Sequence, residues 1–179
     1  KGKLVEATWE EAFTTIAKKL SKLEGAQIAG LVGDLCDAES MYALKMFLNS
    51  FGSAQIECRQ DGSKIDTQHR AGYLFNTGVA GIDEADACLL IGSNPRLESP
   101  VLNARLRQRW VTRQCSFANI GPEVDLSYKI EQLGDNAKIL QDILDGKNDF
   151  AKKLKKAKKP MLILGEGALN RDDSLHIIH

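Results

Sequence analysis

Apolar positions along the chain fall into two alternating rhythms. Trp9, Phe13, Ile16, Ala17, Leu20 and Leu23 recur at three- and four-residue steps and predict a helix with one apolar stripe. Thr8 is placed to cap it, and Glu10 and Glu11 suit the positive end of its dipole. Residues 27–33, QIAGLVG, form a short apolar run that predicts a first strand. A helix over 38–50 follows, capped by Asp37, with Met41, Leu44, Leu48 and Phe51 on one face and Gly52 as its stop. Residues 54–58 alternate and predict a second strand. The run 87–91, ACLLI, is uninterrupted and too short for a helix, which suits a central strand covered on both faces. Gly92 turns the chain there, and Pro95 stops the strand from continuing through Asn94. Ser99 and Pro100 then read as N-cap and first residue of a third helix running to Arg113. Residues 116–121 predict a fourth strand, turned by Gly121-Pro122. Asn136 caps a helix closed by Gly146, a further helical stretch spans 149–159, and residues 161–164 predict a fifth strand. Strands alternating with helices predict an α/β fold: a doubly wound, mostly parallel five-stranded sheet with helices on both faces.

The rhythm breaks between about 59 and 85, where RQDGSKIDTQHRAGYLFNTGVAG carries four glycines and many polar residues. Within one domain covering 1–179, an irregular insert of this length points to a functional or partner-binding segment.

Composition narrows the possibilities. The chain has 179 residues, 43% hydrophobic and 27% charged, with zero formal net charge, which suits a full core and gives no general attraction to nucleic acid. No apolar run approaches bilayer length, so no direct membrane insertion is expected. Cys36, Cys58, Cys88 and Cys115 are widely spaced without a CxxC pair, so neither a zinc nor an iron–sulfur site is legible, and a reducing compartment is expected. The two ends, KGKLVEATWEEA and LHIIH, read as those of a piece of a longer protein.

Candidate chemistry centres on the strand tips, where open α/β sheets hold ligands. Three glycine-bearing loops are candidates to converge there: Gly33-Asp34, Gly92-Ser93-Asn94 with Arg96, and Gly165-Glu166-Gly167. A carboxylate with Asn94 offers hydrogen bonds to a ribose or a pterin-like heterocycle. Neither GxxxxGK[ST] nor GxGxxG after the first strand is present, and Asp34 would repel a phosphate. His69, His176 and His179 have no partner at ligand spacing, and no nucleophile–base pair can be assembled, so no catalytic residue and no metal ligand is assigned. Arg105, Arg109 and Arg113 share a helix face, which reads as a solvated face or, more sharply, as a docking surface for an acidic partner. The run KKLKKAKK carries no aromatic residue and reads as wet surface.

The run from Ile82 to Trp110, IDEADACLLIGSNPRLESPVLNARLRQRW, resembles the molybdopterin-oxidoreductase-like domain of the large iron–sulfur subunit (the G subunit) of NADH-quinone oxidoreductase, respiratory complex I. ATWEEAF, GLVGD with DAESMYALKMF, and CRQDG extend the resemblance over nearly the whole chain. It implies a scaffold fragment without catalytic activity or cofactor of its own, in an assembly that moves electrons from NADH through iron–sulfur clusters to quinone. It implies that the clusters belong to a missing N-terminal part of the parent, and that the partners are that part and the other peripheral-arm subunits. It further implies a peripheral location on the cytoplasmic face of a bacterial inner membrane, or the matrix side in a mitochondrion. In true molybdoenzymes such as formate dehydrogenase the metal is ligated by Cys, selenocysteine or Ser shortly after the second strand. Here that position falls near Asp61 to Ser63, without a cysteine, and Ser99-Pro100 replaces the usual His-Pro. Gly33, Asp34, Gly92, Ser93, Asn94 and Arg96 would then line a vestigial cleft. The alternative is the pterin-dinucleotide-binding part of an active molybdenum oxidoreductase. KKPMLILGEG alone also resembles a strand of thiamine-diphosphate enzymes.

Overall fold

The structure, a computed structural model, describes residues 2–33, 35–58, 62 and 64–178. It divides into two compact units, residues 1–61 and 62–179.

In the first unit, helix α1 (Trp9–Leu20) starts with the predicted cap. Thr8 Oγ1 accepts from the Glu11 amide at 3.3 Å while the Glu11 carboxylate accepts from the Thr8 amide at 2.8 Å. Its apolar stripe is present but open, with Trp9, Phe13 and Ile16 each at least half exposed. Strands β1 (Gly30–Leu31) and β2 (Ile56–Glu57) pair in parallel, and α2 (Ala38–Ser50) crosses between them, its start held by Asp37 accepting from the Ser40 amide at 2.7 Å. The first strand is shorter than its apolar run suggests. Gly25–Gln27 coils into a 3-10 turn because Gln27 Oε1 captures the Glu24 amide at 3.0 Å.

The second unit is built on a four-stranded, all-parallel sheet in the order β5-β4-β3-β6, with β3 Ala87–Ile91, β4 Ser116–Ile120, β5 Glu131–Gly134 and β6 Pro160–Leu164. Every residue of β3 is buried, as an uninterrupted apolar run requires of a central strand. Short helix α3 (Pro95–Glu98) and α4 (Pro100–Val111) follow β3. On their face Cys88, Leu90, Phe117, Met161 and Ile163 pack with Ile82, Leu106 and Leu126. On the other face Leu89, Ile91, Ala118 and Ile120 pack with Phe150, Ile139, Leu140 and Ala168. These come from α5 (Lys138–Leu144), α6 (Asp149–Lys156) and α7 (Glu166–Leu169), and α8 (Ser174–Ile178) adds Ile177. The α/β class, the parallel pairing and the helices on both faces are as the pattern predicts. The strand count differs. The first two predicted strands pair with each other in a two-stranded sheet, and Glu131–Gly134 joins the larger sheet as its outer strand.

The irregular stretch before β3 contains two 3-10 turns, Arg70–Gly72 and Val79–Asp83, and its end delivers Ile82 and Ala85 into the core. Asp86 fixes the start of β3: its carboxylate accepts the Lys158 and Lys159 amides at 2.7 and 3.0 Å, and the Lys158 amide chiefly holds it below the usual carboxylate range.

The α4 arginines turn back onto their own unit. Arg105 forms a two-point pair with Asp83 (2.7 and 3.2 Å), and Arg109 donates to the Ala85 carbonyl at 2.7 Å and to Gln114 at 2.8 Å. Arg105 and Arg109 thus find partners within their own unit, on Asp83, the Ala85 carbonyl and Gln114. Arg109→Ala is expected to lower folding stability by about 1–2 kcal/mol, read by urea denaturation. An unchanged midpoint would mean that this guanidinium contributes nothing to the fold.

Candidate functional site

The chain runs from β3 to β4 and β5 on one side, then returns to β6 on the other flank of β3, so the switch in direction lies between β3 and β6. At such a point the loops normally diverge and leave a crevice. Here they close on each other. Gly165 donates to the Ile91 carbonyl at 2.9 Å and Gly167 to the Gly92 carbonyl at 3.0 Å. A Cβ on Gly165 would lie 2.5 Å from the Gly92 oxygen, so the absence of side chains there serves backbone-to-backbone contact.

The open space is displaced toward the tips of β3 and β4. A cleft of about 340 Å³ is walled there by Ser93, Asn94 and Glu98 after β3, by Asn119, Gly121 and Glu123 at the end of β4, and by Asp135 after β5. Gly167, Ala168 and Arg171 close its remaining side. The Glu98 carboxylate holds the β3 loop in shape, accepting from the Ser93 hydroxyl at 3.0 Å and from the Asn94 amide at 2.7 Å. Asn119 is buried. Its Nδ2 donates to the Pro122 carbonyl and to Gln132 Oε1, both at 3.0 Å. Asn94 Oδ1 and Asn119 Oδ1 are enclosed and accept no hydrogen bond from any described residue. Three carboxylates line the cleft, and its arginine, Arg171, is bound in two-point fashion to Asp173 (2.6 and 2.8 Å). Such a lining favours hydrogen-bond donors and disfavours phosphate.

Of the residues expected at the strand tips, Gly92, Ser93 and Asn94 line this cleft and Gly167 reaches it. Arg96 is not among its lining residues, and its guanidinium pairs with the Asp125 carboxylate. Gly33 belongs to the first unit, where its carbonyl accepts the Cys36 amide at 3.3 Å. Asp34 lies outside the described residues, as do Asp61 and Ser63 of the expected ligand position. Asn119, Glu123 and Asp135 join the site without having been expected there. The Gly121-Pro122 turn at a strand end is the available signal for the first two.

Thiol chemistry is distributed away from the cleft. Cys88, near the opposite end of β3, has its thiol pushed well up by burial; Cys115, just before β4, is pushed up to about 11, again by burial. Cys36 and Cys58 are exposed in the first unit. In the native state a thiol reagent at pH 8 is expected to modify Cys36 and Cys58 while Cys88 and Cys115 react only after unfolding. Four reactive thiols without denaturant would contradict the burial seen here. Among the described residues no group of three or more His, Cys, Asp or Glu side chains is arranged to hold a metal ion. No described helix is long and apolar enough to cross a membrane.

The sequence profile of the molybdopterin oxidoreductase family matches residues 1–179. Among individual proteins, the NADH-quinone oxidoreductase G subunit of Rickettsia felis is 44% identical over 177 residues, covering 99% of this chain and 26% of that protein. Its counterpart of the same name in Rickettsia conorii is 43% identical over 177 residues, with the same coverage of 99% and 26%. The one in Rickettsia prowazekii is 41% identical over 181 residues, covering 99% and 27%. The chain spans about a quarter of the length of these curated relatives.

Proposed function

The chain belongs to the molybdopterin oxidoreductase family, and from that premise we propose that it is a non-catalytic body within the large iron–sulfur subunit of an NADH-quinone oxidoreductase. The observation that carries this reading is the likeness to the rickettsial G subunits along 99% of the chain. The role is architectural: a folded mass that excludes water from iron–sulfur clusters held elsewhere in the parent subunit and presents surfaces to neighbouring subunits. Exclusion of water matters because exposure shifts a cluster's potential. The assembly would stand at the cytoplasmic face of a bacterial inner membrane or on the matrix side in a mitochondrion, with electrons passing from NADH through the clusters to quinone.

The chemistry of the cleft supports a scaffold without a pterin cofactor. A pterin dinucleotide carries a diphosphate and offers sulfur to a metal. The cleft presents Glu98, Glu123 and Asp135 where a diphosphate needs amides and cations, and Arg171 is already engaged by Asp173. The glycine loops after β3 and β6 use their close approach on each other. The thiols of this unit sit at the far ends of their strands and are held protonated. These residues do not fit the group, and no chemical step is assigned to it.

Affinity purification of the intact parent protein from its own cells tests the functional reading. The expected result is a multi-subunit assembly that oxidises NADH with quinone as acceptor. A protein that purifies alone and oxidises a small substrate such as formate would overturn it in favour of an active molybdenum oxidoreductase.

A further inference from the structure

Every residue that walls the strand-tip cleft belongs to the second unit, so its chemistry is that unit's own. That chemistry is one-sided. Asn119, on β4, is 1% exposed. Its amide orientation is fixed. Nδ2 donates to the Pro122 carbonyl and to Gln132 Oε1, both at 3.0 Å, and Gln132 is oriented in turn by Nε2 donating to the Gly121 carbonyl at 2.6 Å. Turning either amide over would set oxygen against oxygen. Asn119 Oδ1 is thus held as an acceptor, and neither it nor Asn94 Oδ1 receives a donor from any described residue. Enclosed acceptors are normally satisfied. The Glu123 and Asp135 carboxylates also line the cleft, exposed, and neither pairs with a described residue. The guanidinium at the cleft, Arg171, is already bound to Asp173.

We propose that this cleft binds a small organic cation of the amidinium or guanidinium class, with an apolar body and a head carrying several N–H donors. The inference goes beyond the architectural role and does not depend on it. Three observations select this occupant. The two amide oxygens without donors and the two carboxylates without partners call for N–H donors and positive charge. Ile91, Ile120, Leu140 and Ile177 give the same cleft an apolar wall suited to a ring or hydrocarbon, and its volume of about 340 Å³ is that of a site for a small ligand. Among the described residues no group of three or more His, Cys, Asp or Glu side chains is arranged for a metal ion, which favours an organic cation over an inorganic one.

A benzamidine carrying a photoreactive diazirine, applied to the intact parent protein, tests this. The label is expected within residues 91–98 and 119–124, located by mass spectrometry of the digested protein. Unlabelled benzamidine is expected to compete it away at concentrations where benzoate, the same ring with an anionic head, has no effect. Glu123→Gln combined with Asp135→Asn keeps the shape of both side chains and removes their charge. The double variant is expected to lower labelling about tenfold at a fixed probe concentration. Label found only elsewhere in the protein would overturn the proposal. So would competition by benzoate equal to that by benzamidine, or labelling unchanged in the double variant. The readout involves no electron transfer, so its result stands whatever the purified assembly oxidises.

Discussion

Phe150→Ala is expected to cost about 3–5 kcal/mol of folding free energy, a large share of the roughly 5–15 kcal/mol that holds a domain folded. The ring is fully enclosed at the start of α6 and packs against the face that Leu89, Ile91, Ala118 and Ile120 present. Lys153 stands over it, 5.4 Å from the ring centre, and the Phe150 amide donates to Asn148 Oδ1 at 2.7 Å, so backbone and side chain anchor the helix together. Removing the ring leaves a void that the four parallel strands cannot collapse to fill. Urea denaturation is the measurement: the midpoint falls and the slope stays constant. A loss below about 1 kcal/mol would show that α6 does not seal that face.

Gly92→Ala carries the second large effect, expected at roughly 2–5 kcal/mol from a left-handed backbone and an overpacked contact together. Gly92 has φ +59°, and a Cβ there would collide with the Ala168 amide nitrogen. Gly146 supplies the control. Its φ is +71°, yet a Cβ would meet nothing within 4 Å, so Gly146→Ala should show the backbone cost alone, about 1–2 kcal/mol. Equal losses at the two positions would mean that the loops after β3 and β6 are not in contact.

These two positions also show how much of the molecule the sequence exposes to view. The central strand is legible because five apolar residues in a row have no other economical home, and its end is legible because Gly92 and Pro95 forbid continuation. The outer strand Glu131–Gly134 is not, because EQLG holds one large apolar residue and is defined by pairing with β4. The split into two sheets is equally invisible, since parallel strands carry no local mark of their neighbour. In the cleft, the β3 loop follows from a strand tip. Asn119 is hidden inside a run that reads simply as strand, and its role comes from Pro122 and Gln132 folding over it. The arginines of α4 and its approach escape the sequence for a related reason. Their acidic partners, Asp83 for Arg105 and Asp125 for Arg96, lie 22 and 29 residues away along the chain, beyond any helical spacing rule.

The chemistry at the strand tips of the larger sheet is specific. A glycine seam occupies the switch point, carboxylates line the neighbouring cleft, and Cys88 and Cys115 are buried at the other end of the sheet. The carboxylates of that cleft, Glu98, Glu123 and Asp135, repel an anionic group placed among them.

Molybdenum and pterin analysis of the intact parent protein, purified from cells supplied with molybdate, tests this most directly. A scaffold of the kind argued here yields neither element nor heterocycle above background. One molybdenum and its pterin per polypeptide would contradict it.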